Sequence, residues 1–371
     1  MVMSERLLQI DENLIQLLGE RISILATSEI PSLQEQRSRV QSLLRQAGVP
    51  EAAWNQLVIH CMAALASAPS QCQTEPRRIT LVGGRGAMGC FFNERLSATG
   101  HQVSILEYED WHRAEVLLKD ADLVLLCVPL KNVLAVIRQV TTYLSPSTVL
   151  ADISSTKTVI LRTMVDSHTG PVVGLHPMFG PGVDSLLGQK VVVCPGQQPA
   201  AFQWVLDWIE SDGGQLITCT PEEHDRMMVV VQAIRFFSNF SLSAFLAEEG
   251  VDIDRSLEFA SPLYRTEINT ISRLVAQDAA LYIDILLASD DRCEAIERLV
   301  NTYSRLATLL AERNRAALIA EFETAREVFR TDLARALKES NHTINSLSVL
   351  LAASEVEATH LSPTPLSLSA R

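Results

Sequence analysis

The apolar residues of this chain follow a helical period at the N-terminus and a different pattern further along. In residues 1–66 they recur every three or four positions, as in the run LLQIDENLIQLL. Pro31 and the stretch GVPE at residues 48–51 interrupt this period, so the pattern predicts three amphipathic helices. Residues 67–77 contain repeated Ser, Pro and Gln and are predicted to form a linker.

Between residues 78 and 220, short β-branched and aliphatic runs replace the helical period. Segments with helical spacing separate the first four of these runs. The pattern therefore predicts a parallel sheet covered by helices on both faces, which is the α/β arrangement of a Rossmann-type domain. The predicted strands are RITLV, QVSIL, ADLVLLCV, STVLADI, PVVGL and KVVV.

The third pattern begins at Pro221. No glycine follows Gly250, and no proline occurs between Pro262 and Pro363. Long stretches with helical spacing, such as EAIERLVNTYSRLATLLAERNRAALIAEF, fill this part of the chain. They predict an all-α domain over residues 221–340. Residues 341–371 end in THLSPTPLSLSAR and are predicted to be a disordered tail.

Composition narrows the classes of partner. The 371 residues carry a formal net charge of −13, which argues against nucleic acid and anionic membranes as partners. A small anionic substrate would need local positive charge, and arginine is its expected source because the chain has only five lysines. Seven scattered cysteines without a CxxC pair are typical of a reducing compartment, so we expect a cytoplasmic protein.

A glycine-rich loop follows the first predicted strand. The segment VGGRGAMG places Gly84, Gly86 and Gly89 in GxGxxG spacing, and a helix opens at Ala87 and Met88. Between a strand and a helix, this motif predicts dinucleotide binding. We expect the first glycine to allow a tight turn, the second to admit the pyrophosphate, and the third to let helix and strand pack closely.

The ends of the next two strands favour a particular dinucleotide. Glu107 follows the second strand, where a carboxylate can accept both ribose hydroxyls of adenosine and repels a 2′-phosphate. This favours NAD over NADP, although Arg85 in the loop could offset some of the repulsion. Val128 and Pro129 close the third strand and are expected beside the nicotinamide.

His176 lies at the end of the fifth predicted strand, in PVVGLHPMFGPG, and Ser155 follows the fourth strand in ADISSTK. Open α/β sheets bind ligands outside the carboxyl ends of their strands. An imidazole suits removal of a hydroxyl proton because its unperturbed pKa is about 6.5. We therefore predict that His176 is the base of a dehydrogenase. No pair of histidines has zinc-ligand spacing, so we expect no metal.

Eight segments together resemble the prephenate dehydrogenase family, and within it the bifunctional chorismate mutase/prephenate dehydrogenases. They are VGGRGAMG, ILEYEDW, DISSTK, GLHPMFGP, EEHDRMM, QAIRFF, SPLYRTEI and RLVAQDAALYIDI, of which HPMFGP is the most specific. The resemblance runs through most of the chain. It implies a Rossmann-type domain preceded by a small all-α chorismate mutase-like domain and followed by an all-α dimerisation domain, hence a homodimer.

The same resemblance implies a reaction, the NAD-dependent oxidative decarboxylation of prephenate to 4-hydroxyphenylpyruvate in tyrosine biosynthesis. His176 would take the proton of the ring hydroxyl, and Ser155 would orient the hydroxyl and the imidazole. Ser155 is also expected to contact the cofactor. Arg273 would bind a substrate carboxylate, for which the planar guanidinium is well suited. Further candidates for substrate binding are His224, Arg235 and Arg265.

The N-terminal helices depart from the mutase pattern. Arg21 matches one of the two arginines on the first helix of that domain, but the other falls at Ser4 in ungapped register, with Arg6 two residues away. No lysine precedes Lys119, and Arg37 and Arg39 match the remaining cationic cluster only loosely. Because rearrangement of a dianion needs a cage of cations, we predict that mutase activity is weak or absent and that the domain serves dimer packing or regulation.

Three alternatives stay open at this point. An arogenate dehydrogenase would run the same chemistry on the amino-acid analogue of prephenate. An active bifunctional enzyme would retain the mutase step. A non-catalytic regulator with a dinucleotide-binding fold is disfavoured by the joint presence of Glu107, Ser155, His176 and Arg273. Phe236 stands where bacterial members of the family have a histidine linked to tyrosine inhibition, so the resemblance leaves feedback control in doubt.

Overall fold

The computed structural model describes residues 5–66 and 75–361. The chain divides into two compact units, one ending at Arg226 and the other beginning at Met227. Most of the predicted linker, residues 67–74, lies outside the described residues.

Three helices open the first unit, as the periodicity predicts. They span Glu5–Thr27 (α1), Leu33–Ala47 (α2) and Glu51–Ala64 (α3). A capping box starts α2, because the Ser32 side chain accepts from the Glu35 N–H and the Glu35 side chain accepts from the Ser32 N–H. Gly48 ends α2 in the left-handed conformation. Both α1 and α2 pack against α3.

A seven-stranded sheet follows, in the order β2-β1-β3-β4-β5-β6-β7. Strands β1 to β5 are parallel, whereas β6 runs antiparallel to β5 and β7 runs parallel to β6. The strands span Arg78–Val82 (β1), Gln102–Leu106 (β2), Leu123–Leu126 (β3), Val149–Asp152 (β4), Val172–Pro177 (β5), Lys190–Gln197 (β6) and Gln215–Thr218 (β7).

The α/β prediction is confirmed, with two differences in the sheet. The segment KVVV was expected to extend a parallel sheet, but it forms the antiparallel strand β6. A parallel return needs a crossover, usually through a helix, and residues 178–189 contain none. The short strand β7 was not predicted, because most of its residues are exposed and it has no continuous apolar run.

Helices cover both faces of the sheet. They span Ala87–Ala98 (α4), Ala114–Leu118 (α5), Leu130–Val140 (α6), Thr158–Ser167 (α7) and Pro199–Ser211 (α8). Two buried apolar clusters result, because alternate residues of each strand point to opposite faces. One cluster contains Leu81 and Leu125 with Phe92, and the other contains Val82 and Leu126.

Helices make up the rest of the chain as far as Leu361, the last residue that the structure describes. They span Pro221–Met228 (α9), Arg235–Glu248 (α10), Ile253–Glu258 (α11), Pro262–Val275 (α12), Ala279–Leu286 (α13), Asp290–Ala311 (α14), Arg315–Phe329 (α15) and Leu333–Leu361 (α16). The prediction of a disordered tail from residue 341 is wrong as far as Leu361, because α16 continues through this segment. The remainder of that tail lies outside the described residues.

The helical run Pro221–Glu248 joins α9 to α10 through a π-helical turn at Val229–Ile234. By length and composition it could cross a membrane, although only 11% of its most apolar window is buried. Such a run is weak evidence of a membrane span, because an exposed apolar helix in a soluble protein can also be covered by another subunit.

His101, just before β2, is a buried histidine with incomplete hydrogen bonding. Its side chain is 5% exposed, and its Nδ1 accepts from the Arg77 N–H at 3.2 Å. The other ring nitrogen, Nε2, is buried without a hydrogen-bond partner among the described residues. Burial and the charge of Arg77 lower the pKa of His101, while Asp122 opposes the shift. The folded protein therefore resists protonation of this ring.

We expect His101 to make the protein less stable in mild acid. Its pKa is lower in the folded state than the unfolded value of about 6.5, so the unfolded chain binds the proton first as the pH falls. The stabilisation of the folded state by the neutral His101 ring is complete above the unfolded pKa of about 6.5 and decreases as the pH falls below it. Urea unfolding between about pH 7.5 and pH 5 should give a shallower loss of stability for His101→Asn than for the wild type. His112→Asn, at an exposed position, should follow the wild type; parallel curves for all three proteins would contradict the assignment.

Candidate active site

The turn after β1 depends on Gly83. Gly83 has a φ of +80°, and a Cβ at this position would lie 2.8 Å from the Cys127 carbonyl oxygen. The sequence-based prediction that Gly84 allows the tight turn is wrong, because Gly84 has no positive φ. Its lack of a side chain serves close packing, since a Cβ there would lie 2.9 Å from Ile105 Cγ1.

The other two glycines of the motif have the expected kinds of role. A Cβ on Gly89 would lie 2.6 Å from the Gly83 carbonyl oxygen, so α4 can approach the loop only without a side chain there. Gly86 is the N-cap of α4, and a Cβ on it would come no closer to another atom than 3.4 Å. The exposed N-terminus of α4, beginning at Ala87 and Met88, is thus accessible to a phosphate.

Glu107 lies directly beside this loop. Its carboxylate accepts a hydrogen bond from the Arg85 N–H at 2.7 Å. The loop after β3 also approaches, because a Cβ on Gly83 would lie 3.0 Å from Val128 Cγ1, and Pro129 follows as the N-cap of α6. The predicted cofactor residues therefore meet where the strand order changes direction, and the glycine cradle and the carboxylate fit NAD.

His176 occupies the penultimate position of β5 and is 5% exposed. Its Nδ1 lies 2.8 Å from Nε2 of His224, a residue of α9 that is 1% exposed. The two rings meet edge to face, with centroids 5.0 Å apart. The prediction that His224 binds substrate directly fits this geometry poorly. Its ring is buried, and its Nε2 is already within hydrogen-bond distance of His176, the predicted base.

Asp225 completes a chain of three side chains. One of its carboxylate oxygens lies 2.7 Å from His224 Nδ1. The same carboxylate accepts from the N–H groups of Lys157 at 2.8 Å and Thr158 at 2.9 Å, at the start of α7. Burial opposes ionisation of this carboxyl, but the hydrogen bonds from His224, Thr158 and Lys157 outweigh it and hold the pKa of Asp225 well below its usual value.

A buried ion pair supports the loop that carries Ser155. Lys157 Nζ lies 2.6 Å from Asp152 Oδ2, and both side chains are fully buried. The same carboxylate oxygen accepts from the Ser154 N–H at 2.9 Å. Gly174 on β5 makes room for the pair, because a Cβ there would lie 2.9 Å from Lys157 Cδ. Ser155 lies between Ser154 and Lys157 in the sequence, and its side chain is half-buried.

The second unit groups two of the predicted arginines around one phenol. The Phe236 and Tyr282 rings meet edge to face with centroids 4.8 Å apart, and the Arg235 guanidinium lies 5.9 Å from the Phe236 ring centroid. Burial raises the pKa of Tyr282, while the charges of Arg235 and Arg273 oppose the shift. Both arginines are exposed within the single chain and could bind an anion.

Arg265 is a weaker candidate for substrate binding than the sequence indicated. Its Nη2 donates to the Leu257 carbonyl oxygen at 3.2 Å, which links α12 to the end of α11. The guanidinium is half-buried and engaged within its own unit, so we reassign it a structural role.

Sequence reasoning missed three side chains of the site. Asp225 lies in the quoted segment EEHDRMM, and Asp152 and Lys157 flank the loop DISSTK, but none received a function. An acid next to a histidine at the start of a helix was the available signal for Asp225. Nothing in the sequence indicated that Asp152 and Lys157 would pair. In the parts of the chain that the structure describes, no three His, Cys, Asp or Glu side chains are grouped to hold a metal.

A Rossmann-type loop with an acidic ribose partner, together with a buried histidine at the end of another parallel strand of the same sheet, defines a dinucleotide-dependent oxidoreductase. Comparison with known proteins gives the family. Residues 102–218 match the model of the prephenate dehydrogenase nucleotide-binding domain, and residues 220–324 match the prephenate dehydrogenase dimerization domain. The chain belongs to the prephenate dehydrogenase family and is an NAD-dependent oxidoreductase.

Individual relatives agree with this assignment. The chain is 40% identical over 272 residues to the T-protein of Enterobacter agglomerans, covering 73% of each protein. It is 37% identical over 273 residues to the T-protein of Haemophilus influenzae, covering 74% of this chain and 72% of the relative. The prephenate dehydrogenase of A. aeolicus, crystallised with hydroxyphenyl propionate and NAD+, shares the fold at 20% identity with a TM-score of 0.57, over 70% of this chain and 99% of that one.

Removing the charge of Lys157 should destabilise the protein by about 3–5 kcal/mol, because Lys157→Met leaves the Asp152 carboxylate buried without its cation. Urea unfolding measures the change. Adding Asp152→Asn to that variant should recover much of the loss, since the amide oxygen can still accept from the Ser154 N–H. Arg162→Met in α7, the helix that follows Lys157, provides the control, because its ion pair with Asp166 is exposed and should contribute little. A double variant as unstable as the single one would refute the ion-pair explanation.

Proposed function

We propose that this chain is an NAD-dependent prephenate dehydrogenase that converts prephenate to 4-hydroxyphenylpyruvate and carbon dioxide. The observation that carries the proposal is the imidazole of His176. It is buried at a strand end of the nucleotide-binding unit, and its Nδ1 is held 2.8 Å from His224. A histidine oriented in this way is suited to remove one proton from a substrate hydroxyl.

The ring of prephenate carries its hydroxyl on one carbon and two carboxylate-bearing groups on the opposite carbon. His176 hydrogen-bonds the hydroxyl and takes its proton, and Ser155 orients the hydroxyl and the imidazole. When bound, NAD supplies the acceptor for the hydride that leaves the same carbon. The bond from the ring to its carboxylate then breaks, carbon dioxide departs, and the electron pair completes the aromatic ring. The proton held by His176 returns to the product oxygen as the phenol forms, which restores the neutral imidazole.

The arginines of the second unit favour prephenate over arogenate. Both carboxylates of prephenate belong to the end of the molecule opposite the reacting carbon. Arg235 and Arg273 supply two guanidiniums near Tyr282, which match a dianion. Arogenate has an ammonium group where prephenate has a ketone, and two neighbouring positive charges repel it. Arogenate therefore remains the second candidate, with lower catalytic efficiency.

The N-terminal helices are proposed to have little or no mutase activity. Arg21 donates to the Gln36 side chain, and its guanidinium lies 5.7 Å from the Trp54 ring centroid. Arg37 pairs with Glu51. Two of the candidate cations are thus engaged inside the domain rather than arranged around a ligand, and the lysine of the family pattern has no counterpart before Lys119.

A cytoplasmic homodimer is the proposed form of the enzyme. The second unit exposes many large apolar side chains, which a second copy would cover at a dimer interface. The match to a dimerization-domain model over residues 220–324 supports this reading.

The purified protein should produce reduced nicotinamide absorbance with prephenate and NAD. Arogenate and NADP, tested in the same assay, should each give a lower kcat/KM because of the Arg235–Arg273 pair and Glu107, respectively. A higher kcat/KM with arogenate than with prephenate would reverse the substrate assignment. Chorismate without NAD should keep its absorbance, and its loss would establish an active mutase.

Substitutions at three positions should separate chemistry from binding. His176→Asn should lower kcat by about 10²- to 10⁴-fold with little change in KM, because it removes the proton acceptor. Arg273→Ala and Arg235→Ala should mainly raise KM for prephenate, by removing a cation that binds a carboxylate. Arg265→Ala is the matched control and should leave KM nearly unchanged, because its guanidinium binds a backbone carbonyl. Reversed effects at His176 and Arg273 would mean that their roles are exchanged.

A further inference from the structure

We propose that Asp225 and His224 act as positioning residues that fix the tautomer of His176, so that Nε2 of His176 is the atom that takes the substrate proton. This inference rests on the proposed function, because it concerns how the base of that reaction is oriented. It follows from the donor and the acceptor of each hydrogen bond in the series Asp225–His224–His176. These roles can be assigned one after the other, starting from Asp225, whose role as an acceptor is fixed by its backbone partners.

The fixed end is the carboxylate of Asp225. Its two oxygens accept from the backbone N–H groups of Lys157 and Thr158 at the start of α7, a ten-residue helix. Backbone N–H groups can only donate, and an ionised carboxylate can only accept. The ionised form is also favoured by the partial positive charge of a helix N-terminus. Asp225 is therefore an acceptor toward every neighbour, including His224.

The next group must then donate. His224 Nδ1 lies 2.7 Å from the Asp225 carboxylate, so Nδ1 carries a hydrogen. A neutral imidazole has one N–H and one lone pair, and the lone pair of His224 is consequently on Nε2. This ring is 1% exposed, and water does not compete for that nitrogen. Asp225 thus determines which nitrogen of His224 can accept a hydrogen bond.

The direction is passed on to the catalytic ring. His224 Nε2 lies 2.8 Å from His176 Nδ1, so His176 Nδ1 carries the hydrogen. The lone pair of His176 is then on Nε2, at the opposite side of the ring from His224. The other tautomer would place the hydrogen on Nε2 and leave no lone pair there for the proton of the substrate hydroxyl. The tautomer of His176 is therefore determined by Asp225, which is two hydrogen bonds away along the series.

The same arrangement stabilises the charged ring after proton transfer. When Nε2 takes the proton, His176 becomes a cation whose Nδ1–H points at the lone pair of His224, with the negative charge of Asp225 behind it. A carboxylate that orients and stabilises a catalytic imidazole has this role in Ser-His-Asp triads, where replacing the acid by its amide lowers kcat by about 10⁴-fold. Here a second imidazole is inserted between the acid and the base.

Substitutions at His224 can separate this role from simple packing. In His224→Gln the amide oxygen can occupy the position of Nε2 and accept from His176 Nδ1. In His224→Asn the shorter amide reaches only the position of Nδ1, and His176 loses its acceptor. We expect the Asn variant to lose about 10²-fold or more in kcat and the Gln variant to lose at most about 10-fold, with KM for prephenate changed little in both. Equal losses in the two variants would indicate packing alone and would overturn the proposal.

Asp225→Ala tests whether the carboxylate sets this direction. Without the carboxylate, His224 Nδ1 loses its acceptor, so the hydrogen of His224 can move to Nε2 and that of His176 to its own Nε2. Long-range ¹H–¹⁵N spectra of the full-length, ¹⁵N-histidine-labelled protein report which nitrogen carries the hydrogen, and His176→Asn assigns the signal. We expect Nδ1–H on His176 in the wild type and a population with Nε2–H in Asp225→Ala. Nε2–H in the wild type, or a doubly protonated His224, would refute the proposed direction.

Two controls address stability and the wider assignment. Glu223→Gln changes a neighbouring exposed acid on α9 and should leave both kcat and the spectra unchanged. Thermal unfolding of each variant shows whether α7 is still held, since Asp225 also caps that helix. A wild type without activity on prephenate would refute the proposed function while the spectra still report the tautomer. An active wild type whose kcat survives His224→Asn would refute the positioning role alone.

Discussion

The hydrogen bonds to the Asp225 carboxylate are the interaction on which the geometry of His176, the proposed base, depends. They join the start of α7 to α9 through a single side chain, and through His224 they reach β5. Because the Asp225 carboxylate is partly buried, it has lost some of its hydrogen bonds to water, and each protein donor replaces one of them. Because a carboxylate with two backbone donors cannot rotate freely, the rings behind it are held in one orientation.

The surrounding sheet accommodates this polar group through a few small or paired residues. Lys157 contributes its backbone N–H to Asp225 and its ammonium to Asp152, so one residue connects a partly buried acid to a fully buried one. Gly174 leaves the volume that the lysine side chain occupies. Strand ends in this unit are therefore polar at positions where the rest of each strand is apolar. The cost of burying these charges is offset by pairing and by hydrogen bonds from backbone groups.

The proposed substrate is an anion, whereas the protein is acidic. The net charge of −13 would repel a dianion at long range. In the proposed function Arg235 on α10 and Arg273 on α12 counter this locally, because both lie near Tyr282 on α13 of the second unit. The cofactor loop uses the opposite solution, since its phosphate site relies on backbone N–H groups and a helix N-terminus and needs no basic side chain.

The sequence by itself determined the α/β class, the three N-terminal helices, the glycine loop with Glu107, and His176 at a strand end. Each of these follows from local periodicity or from a motif whose residues are close together in the chain. Only the tertiary structure decided the antiparallel direction of β6, the helix beyond residue 341, the turn role of Gly83, and the partners of His176. Those features depend on contacts between segments far apart in sequence: His224 is 48 residues from His176, and Asp225 is 68 residues from Lys157. A hydrogen bond over that separation leaves no periodic pattern along the chain, because it is created by packing.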